Sequence, residues 1–445
     1  MAIKLKLKKG LDLKIAGGIE IENKAVKRKV QPQRVSICPD DFLGITPKPE
    51  VKEGTKVKAG EPLFHDKKFE DIKVVSPVSG VLKEIVRGER RKILQFIVEP
   101  EGKEAAKFDT AVKNAEDAKN LLAHSGLWVF MRQLPYGIVP KYDVAPRDIF
   151  VSGFDSAPLA PDYSLLLDGK EKELAAGVKL LSMLTKGKVY FTCRSGFKAV
   201  PGAEMVEIEG PHPAGNIGVA INNVAPVNKG EVVWTLDAIT LARIGKMVIS
   251  GTFDATAVVA LTGSEIERPH YLETVIGADL TGILDSQLKK KKRHKRVISG
   301  NVLTGITETP EGFLHYPYRQ VTVIPEGDDK VEFMGWASLS PKKMSVSTSF
   351  PGHFLSRLFK PDARLNGGRR AMIMSGEYDE MMPMDILPEF LIKAILSKNI
   401  DQMEELGIYE VVPEDFALAE YADTSKLELQ KIVAEGLEYL RKELE

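Results

Sequence analysis

The sequence predicts an α/β chain of several domains, and three observations carry that expectation. Residues 30–100 are rich in Val, Ile, Gly and Pro and break into short runs spaced by turns, the pattern of a β-sandwich. Residues 103–254 alternate short apolar runs with amphipathic stretches of helical period, which implies a parallel sheet covered by helices. From Met384 onward apolar residues recur at helical spacing. At 445 residues the chain has room for about three domains with cores of their own.

Composition narrows the function. The 62 basic and 62 acidic side chains cancel, so no general electrostatic pull toward nucleic acid is expected. No stretch approaches the roughly 18–20 uninterrupted apolar residues of a bilayer span. The opening MAIKLKLKKGLDLKIAGG alternates Lys with Leu and lacks the apolar block of a signal peptide. A cytoplasmic chain follows, whose membrane role would come through a partner. Cys38 and Cys193 are the only cysteines, which excludes a disulfide framework and a four-cysteine cluster. The seven histidines form no HxxxH or HxH pair, so a metal site would have to be assembled from distant residues, and none is expected.

Taken in order, PEVKEGTKVKAGEPLF (49–64) repeats a glycine turn at Gly54 and Gly60, and VVSPVSGVLKEIV (74–86) sets Pro77 and Gly80 before a new strand. These resemble the two halves of the lipoyl/biotinyl-carrier type of flattened sandwich. Carriers place a modified lysine on the hairpin between the halves, where this chain has HDKKFED (65–71). Lys67 and Lys68 read as solvated turn residues or as an acceptor, the first being the plainer reading. Next, AKFDTAVKNAEDAKNLLAHSG (106–126) spaces Phe108, Val112, Ala115, Leu121 and Leu122 as a helix. DIFVSGFD (148–155) is a buried strand, SLLLDGKEKELAAGVKLLSMLTKG (164–187) a helix closed by Gly187, and KVYFTCRSG (188–196) the next strand. This strand–helix–strand rhythm is Rossmann-like.

Residues 255–285 read as strand, turn, strand and short helix. KKKKRHKR (289–296) then reads as the charged tip between strands, since no aromatic residues interleave it as in a nucleic-acid patch. VTVIPEGDDKVEFMGWASL (321–339) is a hairpin turning at Glu326-Gly327-Asp328-Asp329. The last helix carries an apolar stripe of Leu427, Ile432, Leu437 and Leu440.

HSGLWVFMRQLPYG (124–137) sits where such a sheet normally cradles a phosphate. A cradle needs glycines, because a Cβ keeps the backbone from a pyrophosphate. Trp128, Val129, Phe130, Met131 and Arg132 stand there instead, so the site reads as filled in, with Trp128, Phe130 and Met131 as core packing. His212, in GPHPAG, reads as part of a rigid turn, with a catalytic proton-transfer role as the sharper alternative.

In register from end to end, the chain resembles the A subunits of the Na+-translocating NADH:quinone oxidoreductases. The segments are KGLDLKIAGG (9–18), DFLGITPKPEVKEG (41–54), SGLWVFMRQLPYGIVPKYD (125–143), GPHPAGNIG (210–218), RVISGNVLTG (296–305), EFMGWASL (332–339), LNGGRRAM (365–372) and MMPMDILPEFL (381–391). That family is similar in fold to the flavin- and NADH-binding subunit of complex I and to the C subunit of Rnf complexes. The resemblance implies an N-terminal extension (1–30), a lipoyl/biotinyl-like sandwich (31–102), a Rossmann-like domain without its nucleotide loop (103–254) and a β-grasp-like SLBB domain (255–335). A connector (336–380) and a helical domain without an iron–sulfur cluster (381–445) would complete it. The cluster's cysteine positions in the relatives fall on Met372, Ser375, Tyr378, Met382, Ala419 and Asp423, none of them a thiolate.

The implied role is a peripheral subunit of a six-subunit pump, on the cytoplasmic face of the cell membrane, supporting electron transfer to quinone coupled to Na+ export. NADH and flavins belong to partner subunits. This chain would bind no FMN and no iron–sulfur cluster, have no catalysis alone, and dock to membrane subunits, especially the B subunit. Quinone is the implied ligand, with Arg132, Tyr136, Lys141 and Tyr142 as donors and Phe42 and Trp128 as walls. A surface loop docking a membrane partner would use the same residues. A lipoyl/biotinyl-type carrier or a free-standing flavin-dependent NADH dehydrogenase are the alternatives.

Overall fold

The computed structural model describes residues 2–23, 25–329, 340–344, 346, 350 and 358–444. Two small antiparallel sheets form the first unit after the N-terminal segment. One runs Val35–Ile37, Ile93–Pro100, Gly80–Arg87, Lys56–Val57; the other runs Pro47–Pro49, Pro62–Asp66, Lys73–Val75. Phe64 and Phe96 stack between them with centroids 4.7 Å apart, fully buried with Leu63 and Leu82. Gly54 and Gly60 take φ of +82° and +87°, as their turns require. The 65–71 turn is fastened by Asp66, whose carboxylate accepts the Thr46 and Phe69 N–H groups at 2.9 and 3.1 Å.

The second unit is a six-stranded sheet in the order Ile3–Lys6, Glu204–Glu209, Val189–Cys193, Ile149–Ser152, Val233–Asp237, Arg132–Leu134. All pairings are parallel except the last, which is antiparallel. Three details differ from the sequence reading. The helix expected from 106 starts only at Ala115, because Asn114 caps it by accepting the Asp117 N–H at 2.9 Å. The long helix 164–187 is two, Tyr163–Leu166 and Glu171–Leu181, parted at Gly169 with φ +72°. Strand Val233–Asp237 and helix Ala238–Ser250 have no counterpart in that reading; Asp237 caps the helix through the Thr240 N–H at 2.5 Å.

The third sheet runs Ile306–Glu308, Lys295–Ser299, Gln320–Pro325, Thr256–Thr262, His270–Val275, Val26–Lys29. Helix Leu280–Leu284 follows its His270–Val275 strand. The basic run before Lys295 is tied down rather than loose. Arg293 pairs with the fully buried carboxylate of Glu265, and Lys289 donates to the Ser264 carbonyl at 2.9 Å. The return strand of the 321–339 hairpin lies outside the described residues.

The first 30 residues are divided among three units. Ile3–Lys6 edges the parallel sheet and Val26–Lys29 edges the third sheet, while Leu13 and Ile15 are buried in the C-terminal helical core. That core gathers helices Pro388–Leu396, Ala417–Ala422 and Leu429–Leu444 around Tyr378, Met382, Phe416 and Leu437. Leu427 precedes the last helix, and the buried stripe is Leu429, Val433, Gly436, Leu437 and Leu440. Among the described residues no helix is long and apolar enough to cross a membrane.

Candidate functional site: a cleft at the carboxyl ends of the parallel strands

Open α/β sheets bind ligands outside the carboxyl ends of their strands. Here strands Ile149–Ser152 and Val233–Asp237 end on a cleft of about 670 Å³ lined by both terminal residues. The other walls come from Leu43 of the sandwich, Phe130, Arg132 and Tyr136 to Ile138, the His212–Ile217 loop, Tyr316–Gln320 of the third unit, and Glu414 and Arg441 of the C-terminal helices.

Two arginines of the cleft are paired with carboxylates. Arg319 clamps Asp237 through both carboxylate oxygens at 3.0 and 2.8 Å. Burial opposes ionisation of Asp237, but Arg319 and the Thr240 N–H outweigh it and hold the carboxyl below its ordinary value. Arg132 reaches Glu414 at 3.2 Å. Burial pushes the phenols of Tyr316 and Tyr318 up to about 12, so both stay protonated, and Tyr316 donates to the Phe130 carbonyl at 2.8 Å. Burial also raises the Asp155 carboxyl.

His212 does two things. Its turn is rigid, with the Ala214 and Asn216 N–H groups donating back to Pro211 and Pro213 at 2.9 and 2.8 Å. Its ring also lines the cleft, with Nδ1 3.0 Å from the Ser156 hydroxyl and Nε2 buried without a protein partner. Burial lowers its pKa to about 4, so the imidazole is neutral at neutral pH.

The residues singled out in the sequence fall into two groups. Arg132 and Tyr136 line the cleft. Phe42 lies one layer behind, stacked on Tyr316 with centroids 5.6 Å apart. Trp128, Lys141 and Tyr142 do not line it. Trp128 is 0% exposed, donates its indole N–H to the Pro140 carbonyl at 2.8 Å, and packs on Trp234 and Tyr142. Tyr142 donates to Asn120 at 2.7 Å, and the Lys141 backbone N–H donates to Gln133 at 2.9 Å. The segment expected to fill the site does so only in part. Trp128, Val129 and Met131 sink into the core, whereas Phe130 and Arg132 face the cleft, which stays open. The segment is a 3-10 turn that spends the Phe130 and Met131 N–H groups on Leu127 and Trp128 carbonyls, so they are not available to a phosphate.

Sequence reasoning missed Asp237, Arg319, Tyr163 and Tyr316. The strand VVWTLD ending in an acid was a usable signal; the Arg319 pairing, 82 residues away, was not. It also missed that Cys38, Asp41 and His315 bring one potential ligand atom each within 4.8 Å of one another, the one such group among the described residues.

Comparison with known proteins bears on the whole chain. Three family models match: the NqrA N-terminal barrel-sandwich hybrid domain over 5–101, the NqrA second alpha/beta domain over 113–253, and the NQRA C-terminal domain, of SLBB type, over 258–308. The A subunit of the Na(+)-translocating NADH-quinone reductase of Neisseria meningitidis serogroup B is 35% identical, covering 99% of this chain and 100% of the relative. The A subunits of the same reductase from Haemophilus influenzae and Pasteurella multocida are 34% and 32% identical, each covering 98% of this chain and 99% of the relative. An NAD+-reducing [NiFe]-hydrogenase in the H2-reduced state aligns with a TM-score of 0.39 at 13% identity, over 75% of this chain and 62% of that one. With family models on three of its units and relatives matched from end to end, the chain belongs to the family of Na(+)-translocating NADH-quinone reductase A subunits.

Proposed function

We propose that the chain works as the A subunit of a Na+-pumping NADH:quinone oxidoreductase and offers quinone a binding surface in the cleft. Membership of the family supports the first half. NADH oxidation and flavin chemistry then belong to partner subunits, and the chain sits on the cytoplasmic face, docked through membrane subunits and above all the B subunit. The parallel sheet is Rossmann-like with its ligand crevice kept and its phosphate loop lost. The third sheet is β-grasp-like. Where relatives hold an iron–sulfur cluster, Tyr378, Met382 and Ala419 pack in one apolar core with Asp423 nearby, and none is a thiolate.

The observation that carries the quinone reading is the meeting of Arg132 and Tyr136 with the apolar Leu43, Phe130 and Ile138 on one cleft. A quinone is flat and neutral with two carbonyl acceptors, so it needs one or two donors and an apolar slot. Tyr136 holds a φ of +84°, a conformation costing a non-glycine residue about 1–3 kcal/mol and concentrated at ligand sites. Phe42 supports the slot from behind; Trp128, Lys141 and Tyr142 brace the loop from its far side. Calorimetric titration of the full chain with a short-chain quinone tests this. Tyr136→Phe should weaken binding roughly two- to tenfold, the worth of one hydrogen bond, without moving the thermal melt. Unchanged affinity in both Tyr136→Phe and Arg132→Leu would remove quinone from this cleft.

A further inference from the structure

We propose that Cys38, Asp41 and His315 form a binding site for a divalent transition-metal ion of the zinc class, with Glu308 as its positioning carboxylate. The site lies where the sandwich meets the third unit and is independent of the quinone reading. Cys38 and Asp41 flank one 3-10 turn, in which the Asp41 N–H returns to the Cys38 carbonyl at 3.1 Å. That turn puts thiol and carboxylate on the same side. His315 arrives from the other unit, its backbone N–H anchored on Ser299 at 2.9 Å.

The imidazole is oriented as metal-bound histidines are. Nε2 sits 2.7 Å from Glu308, and Nδ1 faces Asp41 at 2.7 Å. A carboxylate on the far nitrogen of a histidine fixes its tautomer and raises its basicity as a ligand. The three donor atoms already lie within 4.8 Å of one another. A tetrahedral zinc, with sulfur at about 2.3 Å and nitrogen or oxygen at about 2.0–2.1 Å, draws its ligands to roughly 3.3–3.7 Å apart. Asp41 and Nδ1, now 2.7 Å apart, would open by under an ångström to admit the ion, while the remaining donor closes from within 4.8 Å by about an ångström. A sulfur, an imidazole nitrogen and a carboxylate oxygen suit a borderline-soft ion, with a fourth position left for water. The side chains of His315, Asp41 and Glu308 are 11%, 8% and 18% exposed, so the site is sheltered yet reachable.

Binding balances as an exchange. The ion replaces the thiol proton of Cys38 and the Nδ1 proton that His315 shares with Asp41, and both protons go to solvent. The thiolate and the Asp41 carboxylate then neutralise the divalent charge. His315 leads directly into Tyr316–Gln320, so the ion would pin one wall of the cleft to the sandwich.

The test uses the full chain stripped with a chelator, then titrated with Co2+ and with Zn2+ against a chromophoric competitor. Expected are one ion per chain, a thiolate-to-cobalt charge-transfer band in the near ultraviolet, and two protons released per Zn2+. Cys38→Ser, which exchanges only sulfur for oxygen, should abolish the band and lower affinity at least tenfold. Glu308→Gln should keep the band and weaken binding about 10–100-fold. Cys193→Ser, within a buried strand elsewhere, should change nothing. Circular dichroism checks that each variant is folded, and zinc protection of Cys38 from alkylation in the parent gives a readout needing no variant. No stoichiometric ion at micromolar free metal would overturn the proposal and leave an Asp41–His315–Glu308 ion-pair clamp. A band that survives Cys38→Ser would overturn it as well.

Discussion

Replacing Trp128 by alanine separates a packing residue from a ligand residue in one short loop. Trp128 has no exposed surface, and truncating a buried Phe or Trp to Ala costs about 3–5 kcal/mol. Two local features place this site at or above the top of that range. Its indole N–H is the donor to the buried Pro140 carbonyl at 2.8 Å, and an acceptor left unpaired costs about 1–3 kcal/mol. Its ring also meets Trp234 edge-on, centroids 5.0 Å apart, a pairing worth about 0.5–1.5 kcal/mol beyond burial. These overlap, so the expected loss is about 4–6 kcal/mol, comparable with the whole stability of many domains. The chain has several cores, so its melting is not two-state. Near-ultraviolet circular dichroism of the remaining tryptophans follows the unit concerned. Its transition should fall by roughly 10–20 °C. A loss below about 1.5 kcal/mol in Trp128→Ala would refute the reasoning, because it would mean that the ring is not a keystone of the sheet. Nucleotide binding should not appear in this variant, since the turn's N–H groups remain bonded within it.

Three further perturbations follow from the same packing. Gly245→Ala would set a Cβ onto the Glu173 carbonyl where helices Glu171–Leu181 and Ala238–Ser250 cross, and should cost about 1–3 kcal/mol or more in denaturant melts. Arg319→Met strands the Asp237 carboxylate and should cost about 3–5 kcal/mol, most of it recovered when Asp237→Asn, which keeps the Thr240 cap, is added, as a double-mutant cycle would read. Burial, with Glu414 beside it, raises the Asp415 carboxyl from 3.8 to about 7. Its folded pKa exceeds its unfolded one, so the native state holds the extra proton and stability falls as pH rises from about 4 through 7. Asp415→Asn should therefore gain on the parent at pH 8, by up to about 4 kcal/mol, an advantage that shrinks as pH falls and is gone below about pH 4 in paired denaturation curves.

What the sequence made legible was local. The glycine turns at 54 and 60, the buried strand IFVS and, at Leu437 and Leu440, the apolar stripe of the last helix declare themselves within a few residues. The errors were local too, and each has a named cause. Asn114 starts a helix that the spacing of Phe108 and Val112 extends too far upstream, and Gly169 breaks one that amphipathicity makes look continuous. Arg132 and Tyr136 were reachable because they share a loop with the segment facing the crevice. The partners that define the cleft's electrostatics were not. Arg319 finds Asp237 across 82 residues, and His315 finds Asp41 across 274, so neither pair leaves a trace in spacing. Trp128 was read both as core packing and as a wall, and it packs in the core away from the cleft: period and polarity show that an aromatic is wanted in the interior but not which side of a layer it serves.

The open cleft raises a question of its own: why a crevice persists where the phosphate loop does not. Its walls answer it, since each is held from outside the parallel sheet. Asp12 accepts the His212 N–H at 2.9 Å, and the position of a Cβ on Gly10 is taken by the His212 carbonyl, so the N-terminal segment fixes the 210–217 loop. Glu414 anchors Arg132 from the C-terminal helices, and Asn216 donates to Asp415 at 3.1 Å. On the third side, Tyr316 bonds back to Phe130. A crevice assembled by four units does not collapse when one loop changes, because closing it would break contacts in all of them.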